Sequence, residues 1–254
     1  MTLTHSLSSS YINKSEIYDK ARPLYPREAL LFIRHQLNLS SELPVLDIGS
    51  GTGILTRQLA ATGIPMIGIE PDIQMLSKAR ERTNLLNVEY CHGSAEQLGM
   101  ASCSVAALVC GQSFHWFEPN KTLSEFRRVL ATNNPVFLIW NIRDPDHDKF
   151  HRSYEQLLKT YFKRYSETLQ IDNILESRIH QFFNGNFKEC TFNNSQQLDM
   201  IGLIERTMSC SYAPEIRTPE YDFASMAIKI LHQSYQKNNL ISINYKTRVI
   251  YGHI

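Results

Sequence analysis

The amino-acid sequence lacks any apolar stretch long enough to cross a membrane, and it lacks an excess of charge of either sign. Its 254 residues include 26 basic and 25 acidic residues, for a net charge of +1, and no basic run stands out. A nucleic-acid partner is therefore not favoured, because binding to phosphates needs clustered positive charge. Residues 1–10 are polar and rich in serine, without the apolar core of a signal peptide. These absences predict a cytoplasmic protein with no membrane or nucleic-acid partner, and they leave its oligomeric state open.

The sequence also lacks the spacings of common metal, redox and serine-nucleophile sites. Its five cysteines form no C-x-x-C pair, which favours reduced thiols. His147 and His151 have the i, i+4 spacing of helical metal ligands, but no obvious third ligand accompanies them, so we expect no metal. The G-x-S-x-G turn of serine hydrolases is absent as well. The functional residues therefore have to be sought in other motifs.

The most informative segment that is present runs from Val45 to Gly53. Residues 45–48 predict a buried strand, and glycine follows at alternate positions, Gly49, Gly51 and Gly53. Residues 54–61 then have helical spacing. Because glycine has no Cβ, such a turn lets the backbone approach a ligand, and the free N–H groups of the helix start point toward it. The segment predicts a ligand site beyond the carboxyl end of a strand in an open α/β sheet.

The spacing of these glycines differs from the dinucleotide fingerprint G-x-G-x-x-G, because the third glycine arrives one position early. Asp47, two residues before the first glycine, would repel a pyrophosphate but would suit a positively charged ligand. The pattern D-x-G-x-G-x-G resembles motif I of the class I S-adenosylmethionine-dependent methyltransferases. The cofactor of that family, S-adenosyl-L-methionine, carries an ammonium and a sulfonium and no phosphate, in agreement with the charge of Asp47.

Two further blocks are candidates for contacts with the adenosyl part of such a cofactor. Glu70 ends the next predicted strand, about twenty residues beyond the first glycine, a spacing at which an acid accepts hydrogen bonds from ribose hydroxyls. An ordinary exposed acid at a strand end is the alternative. Residues 93–98 resemble the G-[DS]-A-E-x-L turn of many of these methyltransferases, and the resemblance implies that Ser94 and Ala95 border the adenine. Gly99 stands where the family often has proline.

A histidine flanked by aromatic residues follows the fourth predicted strand. His115 titrates near neutrality in its ordinary state and could take a proton from a nucleophile, or it could simply pack and hold the loop. Its segment resembles the Q-x-F-H-W-F run of small-molecule methyltransferases of type 11, similar to trans-aconitate methyltransferase. That resemblance implies that the loop lines the cofactor and substrate pocket, with Gln112 on the cofactor side.

The N-terminal run from Tyr18 to Pro26 also resembles this subgroup, which often carries Y-x-x-x-R-P-x-Y-P. Arg22 is a fixed cation that could hold a carboxylate through a forked pair, and the methionine carboxylate of the cofactor is the natural candidate. A surface arginine in a proline-shaped turn is the alternative. Tyr18 is a weaker candidate for a catalytic base than His115.

The order of apolar segments predicts the fold. Strands and helices alternate through the first half, which indicates an α/β, doubly wound, Rossmann-like sheet with helices on both faces. We predict seven mostly parallel strands with an antiparallel last strand at 241–251, as in the resembled family. A single methyltransferase domain is expected over 1–254. Its predicted parts are N-terminal helices (1–40), a cofactor-binding core (41–145), a helical cap insertion after strand five (146–185) and a C-terminal part that completes the sheet (186–254).

These patterns predict an S-adenosylmethionine-dependent enzyme that methylates a small-molecule acceptor. A carboxylate or hydroxyl oxygen is the expected acceptor, and only the hydroxyl needs a base. Three alternatives stay open at this point: methylation of carbon in a quinone or lipid-like acceptor, a cofactor-binding module without turnover, and a nicotinamide-dependent oxidoreductase. The sequence does not identify the acceptor.

Overall fold

A computed structural model describes residues 21–37, 43–84 and 87–254 of the chain. Residues 1–20 of the predicted N-terminal helices (1–40), with the candidate Tyr18, lie outside the described residues. No helix in the described part of the chain has the length and apolar composition needed to cross a membrane.

Seven strands form one mixed sheet in the order β3-β2-β1-β4-β5-β7-β6. Six strands are parallel and the last is antiparallel, which confirms the predicted fold class. The strands are β1 (Val45–Ile48), β2 (Met66–Glu70), β3 (Val88–His92), β4 (Ala107–Gly111), β5 (Val136–Arg143), β6 (Phe187–Leu198) and β7 (Ile241–Gly252).

Helices connect most of the strands. They are α1 (Arg27–Gln36), α2 (Ile54–Ala60), α3 (Ile73–Glu81), α4 (Pro119–Val129), α5 (Lys149–Tyr161), α6 (Tyr165–Phe182), α7 (Met200–Met208) and α8 (Pro219–Tyr235). A short 3₁₀ helix, Phe114–Trp116, follows β4. The long helical stretch expected after β5 is therefore two helices, α5 and α6.

The sheet places the carboxyl ends of three strands side by side. All four residues of β1 are buried, as expected for a parallel strand covered on both faces. In the register of the sheet, Asp47 lies opposite Gly68 of β2 and Val109 of β4. The glycine turn that follows β1 therefore lies beside the ends of β2 and β4, where open α/β sheets bind their ligands.

The chain divides into two compact units, and each has its own apolar core. The first unit comprises Ile142–Ile174 and Asn193–Lys246, together with residues 21–23. The second unit comprises Leu24–Asn141, Leu175–Phe192 and Thr247–Ile254, and it contains the glycine turn. The single-domain division predicted from the sequence, including a cap over the site, stays a prediction.

Within the second unit, helices cover both faces of the sheet. Along β4, Leu108 and Cys110 point into one core, which includes Phe126 of α4 and Ile179 of α6. The alternate residues Ala107 and Val109 point into the other core, which includes Leu59 of α2 and Ile33 of α1. This alternation is the two-sided burial of a doubly wound sheet, and it fixes the strand ends that carry the site.

Candidate functional site

The turn after β1 is closed on one side and open on the other. Gly49, Gly51 and Gly53 all have positive φ angles, of 69°, 57° and 80°. A Cβ at Gly53 would lie 2.1 Å from the Tyr90 hydroxyl, whereas a Cβ at Gly51 would have no atom within 4 Å. The glycine at position 53 is therefore needed for packing, and the backbone at position 51 faces open space that a ligand can approach.

Asp47 is a buried carboxylate at the base of this turn, with 1% of its surface exposed. Its Oδ2 accepts a hydrogen bond of 2.6 Å from the Thr56 hydroxyl on α2, and its Oδ1 is buried without a hydrogen-bond partner. Burial, and to a smaller extent the nearby Glu70, raise the pKa of Asp47 from 3.8 to about 7, although the Thr56 hydrogen bond partly opposes the rise. Asp47 Oδ1 is thus a hydrogen-bond acceptor without a donor at the base of the glycine turn.

Glu70, the predicted ribose acceptor, supports the turn from the end of β2. Its Oε2 accepts the Gly51 N–H at 2.7 Å, and its Oε1 accepts the Asp72 N–H at 2.9 Å. Burial raises the pKa of Glu70, while these two backbone hydrogen bonds oppose the rise. The carboxylate therefore joins the ends of β1 and β2, and its role toward a ribose stays a prediction.

The loop after β4 packs directly against the glycine turn. The Ser113 hydroxyl donates to the Ile48 carbonyl oxygen at 2.6 Å, and a Cβ at Gly49 would lie 2.7 Å from the Ser113 Cβ. Gln112 has a positive φ of 59°, and its side-chain Nε2 donates to the Asn141 carbonyl oxygen at 3.3 Å. Gln112 therefore lies at the end of the sheet near the turn, and its cofactor role stays a prediction.

His115 lies in the short 3₁₀ helix and is held by an arginine from α6. Arg178 donates through Nη1 to the His115 carbonyl oxygen at 3.0 Å and through Nη2 to the Phe117 carbonyl oxygen. Burial, together with the positive charge of Arg178, lowers the pKa of His115 to about 4. The imidazole is therefore neutral at physiological pH and can accept a hydrogen bond at an unprotonated nitrogen.

The aromatic residues around His115 have different environments. Phe114 is buried and packs edge-on against Phe117, Trp140 and Phe182. Trp116 is 71% exposed and contacts the His115 ring at a centroid distance of 4.7 Å. Of the three flanking aromatic residues, Phe114 thus contributes to the core, and Trp116 presents its ring to solvent.

The remaining candidates are distributed over both units. Ser94 and Ala95 follow β3 in the second unit, where Ala95 is buried in the core and the Ser94 N–H donates to the Gln97 carbonyl oxygen at 3.3 Å. Arg22 belongs to the first unit, where its Nη2 donates to the Ser209 carbonyl oxygen at 3.1 Å. The cofactor contacts expected of these residues stay predictions.

His151, half of the histidine pair considered for metal, has a structural environment. It is buried, its Nδ1 lies 2.7 Å from Asp148 Oδ1, and its Nε2 accepts the Asn244 N–H at 2.9 Å. Both ring nitrogens are therefore engaged in the fold. Among the described residues, no group of three or more potential metal ligands comes together.

The sequence patterns did not identify two residues that contribute to the site. Thr56 satisfies Asp47 from the buried face of α2, among leucines, where a threonine carries no distinctive signal. Arg178 is far from His115 in the chain and belongs to no motif. Only the packing of α6 against the loop brings it there.

The residues present fit an S-adenosyl cofactor rather than a dinucleotide. The open backbone at Gly51 offers the close approach that an adenosyl ligand needs. The unpartnered Asp47 Oδ1 is an acceptor that favours a cationic ligand and would repel a pyrophosphate.

Comparisons with known proteins agree with this fit. The methyltransferase-domain family matches residues 46–138. An uncharacterized methyltransferase of Schizosaccharomyces pombe is 34% identical over 128 residues, which make up 50% of this chain and 50% of that protein. An uncharacterized methyltransferase of Mycobacterium tuberculosis is 32% identical over 138 residues, which make up 54% of each protein. The chain thus spans about half the length of the curated relatives it matches.

The fold extends beyond the matched segment. A solved structure of a type II methyltransferase from Anaeromyxobacter dehalogenans superimposes with a TM-score of 0.66 at 18% sequence identity. That match covers 91% of this chain and 97% of the other. Over residues 46–138 the chain therefore matches the methyltransferase-domain family, in agreement with its resemblance to the class I S-adenosylmethionine-dependent methyltransferases.

Proposed function

We propose that this protein transfers a methyl group from S-adenosylmethionine to a carboxylate oxygen of a small-molecule acceptor. The observation that carries the cofactor half of the proposal is the open glycine turn above a buried acid with one unsatisfied oxygen. Gly51 leaves space for a ligand, and Asp47 Oδ1 offers it an acceptor. When bound there, the cofactor supplies an activated methyl group.

The residues of the chain act mainly by binding and orientation. Asp47, Glu70 and the backbone of the glycine turn would hold the cofactor, and the loop from Gln112 to Phe117 would border the acceptor. Positioning two reactants can contribute several kcal/mol to lowering a barrier, about 7–11 kcal/mol at best. Methyl transfer to an anionic oxygen requires little else, because the acceptor is already a nucleophile.

The environment of His115 favours such an acceptor over a neutral hydroxyl. General-base catalysis works best when the pKa of the base lies near the working pH, and the pKa of His115 is about 4. So weak a base removes a hydroxyl proton poorly, but a neutral imidazole can still orient an acceptor by a hydrogen bond. Carbon methylation of a flat quinone is less favoured, because Phe114 is packed into the core.

Titration calorimetry with S-adenosylhomocysteine tests the cofactor site. We expect binding to the unaltered chain and no binding of NAD.

Gly51→Ala should weaken binding of S-adenosylhomocysteine at least about tenfold, because the methyl group of the alanine would occupy the open face of the turn. Gly63→Ala is a matched control, since Gly63 has a φ of +93° and open space around its Cβ position. Both variants should lose about 1–2 kcal/mol of stability through strain at positive φ, and only the first should lose binding. Binding of NAD alone would overturn the proposal.

Methyl-transfer assays on a panel of carboxylates, phenols and quinones test the acceptor. We expect turnover on carboxylates, and His115→Asn should lower kcat/KM by about tenfold without changing the pH profile between pH 6 and 8. A strict requirement for His115 with a phenol substrate, and no turnover on carboxylates, would show instead that His115 is a base. Binding of S-adenosylhomocysteine without turnover on any acceptor would favour a non-catalytic module.

A further inference from the structure

The first unit contains a cluster of arginines and tyrosines that the methyltransferase fold does not account for. Arg206 comes from α7, and Arg143 ends β5. The rings of Tyr154 and Tyr245 lie against them: the Arg143 Cζ is 5.2 Å from the Tyr154 ring centroid, and the Arg206 Cζ is 5.9 Å from that of Tyr245. These residues all belong to one compact unit, so the cluster is built entirely within it.

Arg206 is an almost fully buried cation, with 7% of its surface exposed. Its Nε donates to the Tyr245 hydroxyl at 3.1 Å, and its Nη1 lies 3.2 Å from Cys210 Sγ. Among residues 21–37, 43–84 and 87–254, no carboxylate forms an ion pair with Arg206. A buried guanidinium without a carboxylate partner is costly, because its charge has lost its solvation and gains at most the Cys210 thiolate as a counter-ion.

Arg143, in contrast, has a counter-ion. Its Nη2 lies 3.2 Å from Glu155 Oε2 and donates to the Tyr165 hydroxyl at 2.6 Å. Glu155 is shared with Lys159, and Arg206 has no carboxylate partner among the described residues, so positive charge is in excess around Arg206. A bound carboxylate would offset it.

The groups around Arg206 suit a carboxylate. Guanidinium groups bind carboxylates through parallel charge-assisted hydrogen bonds. The Tyr154 hydroxyl lies 2.8 Å from the Thr207 hydroxyl, beside Arg206 in α7, so polar side chains continue around the guanidinium. A neutral ligand would leave the excess charge unpaired.

We propose that Arg206, with Tyr245 and Tyr154 beside it, binds a carboxylate group of a small-molecule ligand. If that ligand is the methyl acceptor, the assignment rests on the proposed function. The carboxylate could otherwise be that of the methionine part of the cofactor. Binding of a carboxylate to Arg206 does not itself depend on methyl transfer.

Cys210 provides a reporter within the cluster. Burial raises the pKa of its thiol, but the positive charges of Arg206 and Arg22 outweigh burial and lower the pKa to about 7. A carboxylate bound to Arg206 would offset that positive charge, raise the pKa of the thiol and reduce the reactive thiolate fraction at pH 7. A thiolate at Cys210 is also the competing counter-ion for Arg206, so the two anions should exclude each other.

The experiment measures alkylation of Cys210 by iodoacetamide at pH 7, followed by mass spectrometry of the peptide that contains it. Malonate should slow alkylation severalfold, and malonamide, its uncharged analogue, should not. In Arg206→Met the thiol should react more slowly than in the unaltered chain and should respond little to malonate, because the arginine that lowers its pKa most is gone. Arg152→Met, an exposed arginine on α5, is the matched control and should behave like the unaltered chain.

The affinity of the chain for malonate, measured by thermal unfolding, gives a second test. Malonate should raise the thermal-unfolding midpoint of the unaltered chain at constant ionic strength, and Arg206→Met should require roughly 10- to 100-fold more malonate for the same rise. If Arg206→Met does not fold, Arg206→Lys and Tyr245→Phe keep most of the packing and should each weaken binding severalfold. Equal responses to malonate and malonamide, or a malonate response that survives in all three variants, would overturn the proposal.

The Cys210 alkylation assay also shows whether the carboxylate belongs to the cofactor or to the acceptor. It tests the Arg206 site independently of the proposed function. Slowing of Cys210 alkylation by S-adenosylhomocysteine alone, dependent on Arg206, would identify the carboxylate as that of the cofactor. Protection by malonate but not by S-adenosylhomocysteine would identify it as that of the acceptor. A chain that binds S-adenosylhomocysteine but shows no Arg206-dependent response to either ligand would refute this site and leave the proposed function intact.

Discussion

Asp47 lies inside the protein, where an ionised carboxylate is disfavoured. One of its oxygens is satisfied by Thr56, and the other has no partner. A buried polar atom without a partner costs about 1–3 kcal/mol. The chain therefore carries a local destabilisation at the place where a cationic ligand would relieve it, a common arrangement at binding sites.

Asp47→Asn should make the ligand-free chain more stable at alkaline pH. The pKa of Asp47 is about 7 in the fold against 3.8 ordinarily, so the folded state holds the proton more tightly than the unfolded state. The free energy of unfolding should therefore fall as pH rises from about 4 to about 7 and should stay low above that range. An amide at this position removes the fall, and the variant should be more stable at pH 8 by roughly 1–3 kcal/mol.

Urea unfolding at pH 5 and pH 8 measures this difference, with Asp146→Asn, an exposed acid, as the control. Calorimetry should show at the same time that Asp47→Asn binds S-adenosylhomocysteine about tenfold more weakly. An asparagine variant that loses stability equally at both pH values would mean that the ionised carboxylate is fully compensated in the fold.

At the scale of single residues, the sequence predicted the glycine turn better than it predicted the side-chain hydrogen bonds that hold the turn in place. The glycine spacing and Asp47 are local signals, because a buried strand followed at once by alternating glycines is typical of a ligand-binding turn. Thr56 and the bonds that Glu70 makes to Gly51 and Asp72 depend on how helix and strand ends meet. No pattern along the chain predicts how these ends pack against each other.

At the scale of elements, helix α6 and the loop after β4 act together. Arg178 donates to two carbonyl oxygens of the loop, at His115 and Phe117, and its guanidinium lies 5.8 Å from the centre of the Phe114 ring. Backbone carbonyls bound in this way fix the path of the 3₁₀ helix that carries His115. The orientation of the candidate loop thus depends on a helix that follows β5, well beyond the family match.

Arg178→Met should release this loop and change the titration of His115. Removing the positive charge should raise the pKa of His115 from about 4 toward its ordinary value of 6.5, although burial will still hold the pKa below that value. NMR of the imidazole protons measures the shift directly. Arg127→Met, an exposed arginine on α4, should leave the titration unchanged. An unchanged His115 pKa in Arg178→Met would mean that burial alone lowers it.

The limits of the strand at 45–48, of the helix after the glycine turn and of the last strand could be predicted to within one residue, because alternating and helical periodicities follow directly from burial on one or two faces. The region from 146 to 185 was expected to be one helical insertion. The structure has α5 and α6 there, with a break at Phe162. Leu175, Ile179 and Phe182 of α6 are buried in the core beside β4. An apolar stripe shows that a helix is buried, but it does not show which partner covers it.

At the scale of the whole molecule, the two compact units carry different candidate binding groups. The second unit holds the glycine turn with Asp47 and Glu70, and the first unit holds the arginine–tyrosine cluster around Arg206. A ligand stabilises the structure that binds it by mass action. Each ligand should therefore leave its own pattern of protection along the chain.

Hydrogen exchange with and without S-adenosylhomocysteine tests this division. At a ligand concentration of 100 Kd, the free energy of any opening that releases the ligand rises by about 2.7 kcal/mol, so exchange through that opening slows about 100-fold. We expect this slowing in peptides that cover the glycine turn and the segment from Glu70 to Asp72, because the Gly51 and Asp72 amides are both bonded to Glu70. Malonate should instead slow exchange in peptides from α7 to Tyr212. Protection by S-adenosylhomocysteine that spares the turn between β1 and α2 would place its site elsewhere, since a ligand held by that backbone must close the openings through which its amides exchange.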